Sequence, residues 1–142
     1  MAVTMRVKCY AANEDAIILV DERRREHAIP LARLRLKFKL FWGDLVELFF
    51  DASHPEMAAW GRLTTRAWYR AEVLKCFPER HPPFGLVRID GLPGIRSEIN
   101  MERDGMFFFL PEGEQKIKAG DLVRFNVGFG AGRTKAINVS LV

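Results

Sequence analysis

Helical periodicity is nearly absent from this chain of 142 residues. Long apolar runs are absent too. None approaches the roughly 18 residues that a membrane-spanning helix requires. The first ten residues, MAVTMRVKCY, lack the apolar core of a secretory signal. The expectation is a cytoplasmic protein that does not enter a membrane. Cysteine is scarce: Cys9 and Cys76 are the only two, and without a secretion signal they read as free thiols. They form no C-x-x-C pair, so zinc is not expected. Three histidines, His27, His54 and His81, fall in loop-like or strand-end contexts, and none is spaced from a Ser or Cys nucleophile in a known pattern. No Gly-x-x-x-x-Gly-Lys-Ser/Thr loop is present to cradle a nucleotide. The sequence therefore points away from an enzyme, a metal site, a cofactor or a small-molecule substrate.

What is there is a globular composition, 49% hydrophobic and 28% charged, with a net charge of +4. That charge suits an anionic partner without requiring one. The chain also repeats itself. VKCYAANEDAIILV (7–20) lines up with LKCFPERHPPFGLV (74–87), GDLVEL (43–48) with GDLVRF (120–125), and Gly-Arg at 61–62 with Gly-Arg at 132–133. Three anchors in one order divide the chain into halves, 1–69 and 70–142. Each half holds 11 basic and 9 acidic residues, or +2, which sums to +4. On this alignment Cys9 and Cys76 are equivalent and share one packing role.

Each half reads as five short strands. The first has 5–11, 16–22, 31–41, 44–50 and 63–70. The second has 71–77, 84–90, 106–110, 121–128 and 135–142, with a longer loop at 91–105. One helix candidate, SHPEMAAWGR (53–62), starts at a capping Ser53. Trp42, Trp60 and Trp68 read as core, and EGEQK (112–116) as a solvated turn. Five strands in about 70 residues with Gly-Asp turns predict an all-β protein: two tandem small five-stranded barrels of the OB type. Closing a barrel hides the strand edges that a short all-β domain must protect.

The second half resembles a cold-shock domain over roughly 71–142. LKCF, PPFGLV, MFFFL, GDLVRFNV and GRTKAINVSLV stand for the family's V-K-W-F, K-G-F-G-F-I, V-F-V-H-F, G-x-x-V-x-F and final A-x-N-V blocks. The first half resembles the family only through the internal repeat. The tandem arrangement is similar to the cold-shock-like region of animal small-RNA-pathway helicases and to the non-canonical cold-shock modules of the upstream-of-N-Ras family. The resemblance implies a module for single-stranded RNA, with the family's Trp position held by Cys76 and later aromatic positions by Leu86 and Leu110.

Strand alternation sorts these residues by face. If Phe108, Gly85 and Val87 face the core, then Phe84, Leu86, Phe107 and Phe109 face out. The resemblance makes Phe84, Phe107 and Phe109 base-stacking rings, with Lys75 and Arg88 beside them for phosphates. In the first half no aromatic platform is legible, and its counterpart of the third block lies near HAIPL (27–31). That half has instead LARLRLKFKL (31–40), which alternates Arg33, Arg35, Lys37 and Lys39 with Leu34, Leu36, Phe38 and Leu40. Cations at every second residue recur about every 7 Å, which suits a phosphate track. A charged strand that blocks edge-to-edge aggregation explains the same pattern. Two functions stay open. One is a module that holds single-stranded RNA. The other is a protein-interaction module that docks a partner on its Phe patch.

Overall fold

A computed structural model describes residues 2–10, 15–50, 59–89, 105–110, 116–130 and 133–142. They form two compact units, 1–67 and 68–142. The described residues are all-β with no α-helix.

In the first unit, β1 (Ala2–Tyr10), β2 (Ala16–Asp21) and β3 (Glu26–Pro30) form an antiparallel meander. A single 3-10 turn (Leu31–Arg33) leads into a two-residue β4 (Leu34–Arg35). Strands β5 (Leu45–Phe49) and β6 (Ala59–Thr65) complete a six-stranded sheet ordered β3-β2-β1-β5-β6-β4. Alternation drives each strand. Met5 and Val7, Ile17 and Leu19, and Val46 and Leu48 all turn to one buried face.

In the second unit, β7 (Tyr69–Phe77), β8 (Phe84–Arg88), β9 (Gly105–Phe109), β10 (Leu122–Gly130) and β11 (Arg133–Leu141) close a five-stranded barrel. The core is Val73, Val87, Met106, Phe108, Val123, Phe125 and Val127, all fully buried. Parallel pairing of Lys135 with Phe107 closes the ring.

The repeat is visible in the strand order, since β3-β2-β1-β5-β6 runs as β9-β8-β7-β10-β11 does. The difference lies at closure. Where β11 pairs directly with β9, β6 pairs instead with β4, one 3-10 turn beyond β3. The first sheet therefore has six strands rather than five, and of the two barrels expected only that of the second unit is closed.

The Gly-Asp turns make the same backbone hydrogen bonds. Gly43 and Gly120 have φ of 82° and 93°, a region open to glycine. The Gly43 N–H donates to the Val7 carbonyl at 2.8 Å, and Gly120 to Val73 at 2.8 Å. Val7 and Val73 donate in return to the carbonyls of Asp44 (2.9 Å) and Asp121 (2.8 Å). Val7 thus matches Val73, and the alignment of the halves moves by one residue.

Each first strand also carries a bulge, and on this match the two bulges coincide. Lys8 is the unpaired extra residue between Val7 and Cys9, and Leu74 between Val73 and Lys75. Cys9 pairs with the half-buried Ile18, on the outer face. Cys76 pairs with the buried Gly85, on the inner one. The two cysteines are not equivalent, contrary to the sequence alignment.

A further bulge bends β11. Asn126 pairs with Ile137 and Arg124 with Ser140, which leaves an extra residue on β11. Asn138 takes φ of 57° there, a conformation that Asn tolerates better than most residues. Its side-chain amide donates at 2.8 Å to the Oδ1 of buried Asn126.

Other expectations change. Residues 59–62 are strand, not helix, and the rest of the helix candidate at 53–58, His54 included, lies outside the described residues. The expected strand 31–41 is a 3-10 turn, two strand residues and a bend at 37–38. The loop at 91–105 lies outside the described residues except for Gly105, as does the turn at 112–116 except for Lys116. Trp42 is buried, but Trp60 and Trp68 are 58% and 45% exposed. Neither is core: Trp60 stacks on Phe49, and the Arg124 guanidinium lies 3.8 Å over the Trp68 ring. Neither cysteine is in a disulfide.

Candidate nucleic-acid interface

The outer face of β7, β8 and β9 carries a continuous aromatic surface. Phe108 and Met106 point into the barrel, and Phe107 and Phe109 point out. On β8, Gly85 and Val87 are buried, which turns Phe84, Leu86 and Arg88 outward. Gly85 is needed for this arrangement. A Cβ there would come within 2.6 Å of the Phe108 ring and 3.0 Å of the Lys75 carbonyl. Without one, Phe108 tucks beneath β8 and supports the strand between its two outward neighbours.

The Leu74 bulge completes the face. It reverses the alternation of β7, so that Lys75 and Phe77 turn outward. Cys76, which holds the family's Trp position, turns inward, and its thiol donates to the Ile117 carbonyl at 3.4 Å. Burial, and then the charge of Asp121, push this thiol above its ordinary 9.0. An aromatic ring therefore stands at this corner after all. It is Phe77, one residue beyond the expected position.

Strand pairing arranges these side chains in two rows. Phe77, Phe84 and Phe109 are opposed across β7, β8 and β9. Lys75, Leu86, Phe107 and Lys135 are opposed across β7, β8, β9 and β11. Phe77 stacks on Phe84 with centroids 4.8 Å apart, and Phe84 on Phe107 at 5.1 Å. Phe107 meets Phe109 edge-on at 4.9 Å. The Lys135 ammonium lies 5.3 Å over the ring of Phe109, which is 46% exposed. The second row thus begins and ends in lysine. Sequence reasoning missed both Phe77 and Lys135.

The remaining predicted residues separate into two groups. Arg88 is exposed one pair further along β8, opposite Gly105, and its Nε lies 4.0 Å from a Glu72 carboxylate oxygen. Part of its charge is spent within the protein. Arg33, Arg35, Lys37 and Lys39 belong to the first unit. All four are exposed, while Leu34, Leu36 and Phe38 are half-buried and Leu40 is buried. The alternation thus outlasts the strand. Arg33 closes the 3-10 turn, Arg35 is on β4, and Lys37 and Lys39 lie beyond it. Among the described residues, no carboxylate is ion-paired with any of the four.

Among the described residues, no group of three His, Cys, Asp or Glu side chains is placed to hold a metal ion. No helix among them is long and apolar enough to cross a membrane. His81 is exposed in the β7–β8 loop. Chemically, the face offers flat π surfaces and point cations, which suits stacking and charge neutralisation rather than bond making.

No protein-family model matches the chain, and a search of curated proteins returns no match.

Proposed function

We propose that this chain is a non-enzymatic RNA-binding module built of two OB-type units of the cold-shock kind, the second of them a closed barrel. It holds single-stranded RNA on the outer face of β7, β8 and β9. The observation that carries this reading is the platform of Phe77, Phe84, Phe107 and Phe109 between Lys75 and Lys135. An unpaired base presents two π faces, and stacking on an aromatic side chain is worth about 1–3 kcal/mol per base whatever the sequence. The flanking lysines would neutralise phosphates, each releasing condensed counterions. The cation row of Arg33, Arg35, Lys37 and Lys39 would add affinity without sequence preference.

The test is fluorescence anisotropy with a U-rich single-stranded RNA at low and near-physiological salt, with duplex RNA as control. Binding to the single strand alone, weakening steeply with salt, supports the module. Absence of binding at low salt overturns it and leaves protein docking on the Phe platform as the function. Reversing Arg35 and Lys37 to Glu is expected to weaken binding less than removing Phe84 and Phe107.

A further inference from the structure

Unit 1 carries its own exposed aromatic stack on a different face, formed by β5, β6 and β4. Phe49 and Trp60 are directly opposed on β5 and β6. Their rings lie 4.4 Å apart and within 15° of parallel. Phe49 is half-buried and covers one side of the indole, while Trp60 remains 58% exposed. The indole is therefore held flat against a backing ring, with its other side toward solvent.

The neighbouring strand supplies a cation. Arg35 on β4 is the parallel pairing partner of Trp60, so both side chains leave the sheet on the same face. Arg35 is exposed and has no carboxylate partner among the described residues. The next position outward on β6 differs. Arg62 faces Glu47 across the strands, and the two are ion-paired at 3.4 Å. Positive charge is cancelled beside Arg62 and retained beside Trp60, where Arg33, Lys37 and Lys39 extend it along the chain.

We propose that Trp60 is a second stacking site for a base of single-stranded nucleic acid, with Arg35 as its phosphate contact. The inference rests on the RNA-binding reading but concerns a different unit and different strands. A stacked Phe-Trp pair is preorganised, because the indole does not have to be ordered on binding. A nucleotide matches both parts of the site: a π face for the indole and an anion for the guanidinium. A purely apolar partner would leave Arg35 without a counterpart.

The test uses the full chain and a single-stranded U-rich RNA of about 16 nucleotides, the upper site size of one OB fold. Trp60→Ala should weaken binding by about 5- to 150-fold, the loss of one stacked base. Arg35→Glu should lower the slope of log affinity against log salt by about one. RNA should quench tryptophan emission in the wild type and much less in Trp60→Phe, which retains a ring and the fold. If Trp60→Ala and Arg35→Glu bind as the wild type does while Phe84→Ala with Phe107→Ala binds weakly, the second site is overturned alone. If the ranking is reversed, the platform of the second unit falls and the Trp60 site stands. If the wild type does not bind at low salt, both fall.

Discussion

Asp44 and Asp121 close equivalent turns with the same bonds but at very different depth. The Asp44 Oδ2 accepts the Phe41 N–H at 2.8 Å, and the Asp121 Oδ2 accepts the Lys118 N–H at 3.0 Å. Asp44 is fully buried and does more. Its Oδ1 accepts the Ala67 N–H at 2.7 Å, and the Arg66 guanidinium lies 2.9 Å from its Oδ2. Burial outweighs these three favourable contacts and raises the carboxyl above its ordinary 3.8. Asp44→Asn puts an amide donor against one of the two backbone donors and removes the counter-charge of Arg66. The expected loss is about 2–3 kcal/mol for an unsatisfied buried bond and a broken buried pair. The half-exposed Asp121 should lose about 1 kcal/mol or less. Urea denaturation of the two variants checks the ranking, and equal losses would contradict the role of burial.

The four-ring platform predicts an order among its members. Phe84 lies between Phe77 and Phe107 and stacks on both. Phe84→Ala with Phe107→Ala should reduce single-strand affinity by about tenfold or more, since each stacked base is worth about 1–3 kcal/mol. Both rings point away from the core, so thermal stability should change far less than affinity. Phe77→Ala should fall between the double variant and the wild type. Anisotropy titrations measure all three, and a double variant that binds like the wild type would remove the platform from the site.

The faces of these strands were legible because alternation is local. Phe108 inward and Phe107 and Phe109 outward follow from parity within a single run of three phenylalanines. Parity fails wherever a residue is inserted. Leu74 is an ordinary strand residue, and nothing in its type marks it as a bulge, because the bulge is defined by pairing with β8. That hid Phe77 from the site. Cys9 and Cys76 look equivalent because each follows an aliphatic residue and a Lys, although Cys9 lies one residue past its bulge and Cys76 two. Trp60 was misplaced for a similar reason. The stretch from Ser53 to it holds Glu, Met and two Ala, good helix material by propensity, but from Trp60 onward pairing with β5 decides the conformation. Lys135 enters the site only through a parallel pairing with a strand far away in sequence.

Acid should loosen the β2–β3 turn. Asp21 Oδ1 accepts the N–H groups of Arg23 (2.8 Å) and Arg25 (3.0 Å), and its Oδ2 lies 2.8 Å from the His27 Nε2. These bonds, that of His27 foremost, hold the carboxyl below 3.8. A carboxyl lowered by folding binds its proton less readily in the native state. Its contribution is therefore complete above 3.8 and is lost as the pH falls through the folded value. Asp21→Asn should be less stable than the wild type at neutral pH, with the gap closing in acid. Denaturation midpoints across a pH series test this. A gap that persists unchanged to the most acid point would show that the ionised carboxylate is not the source.

The two thiols should differ in reactivity because they lie on opposite faces, Cys9 one residue past its bulge and Cys76 two past its own. Thiolate is the reactive form, and Cys76 is inward, bonded to the Ile117 carbonyl and raised above 9.0 by burial and Asp121. Cys9 pairs with Ile18 on the outer face of its sheet. With iodoacetamide at mildly alkaline pH, Cys9 should be alkylated first and Cys76 slowly. In urea both should react at one rate, because neither context survives unfolding. Peptide mapping by mass spectrometry separates the two sites. Equal rates in the folded protein would mean that the cysteines share one environment, as the simple alignment of the repeat implies, and would place the bulge of β7 elsewhere than at Leu74.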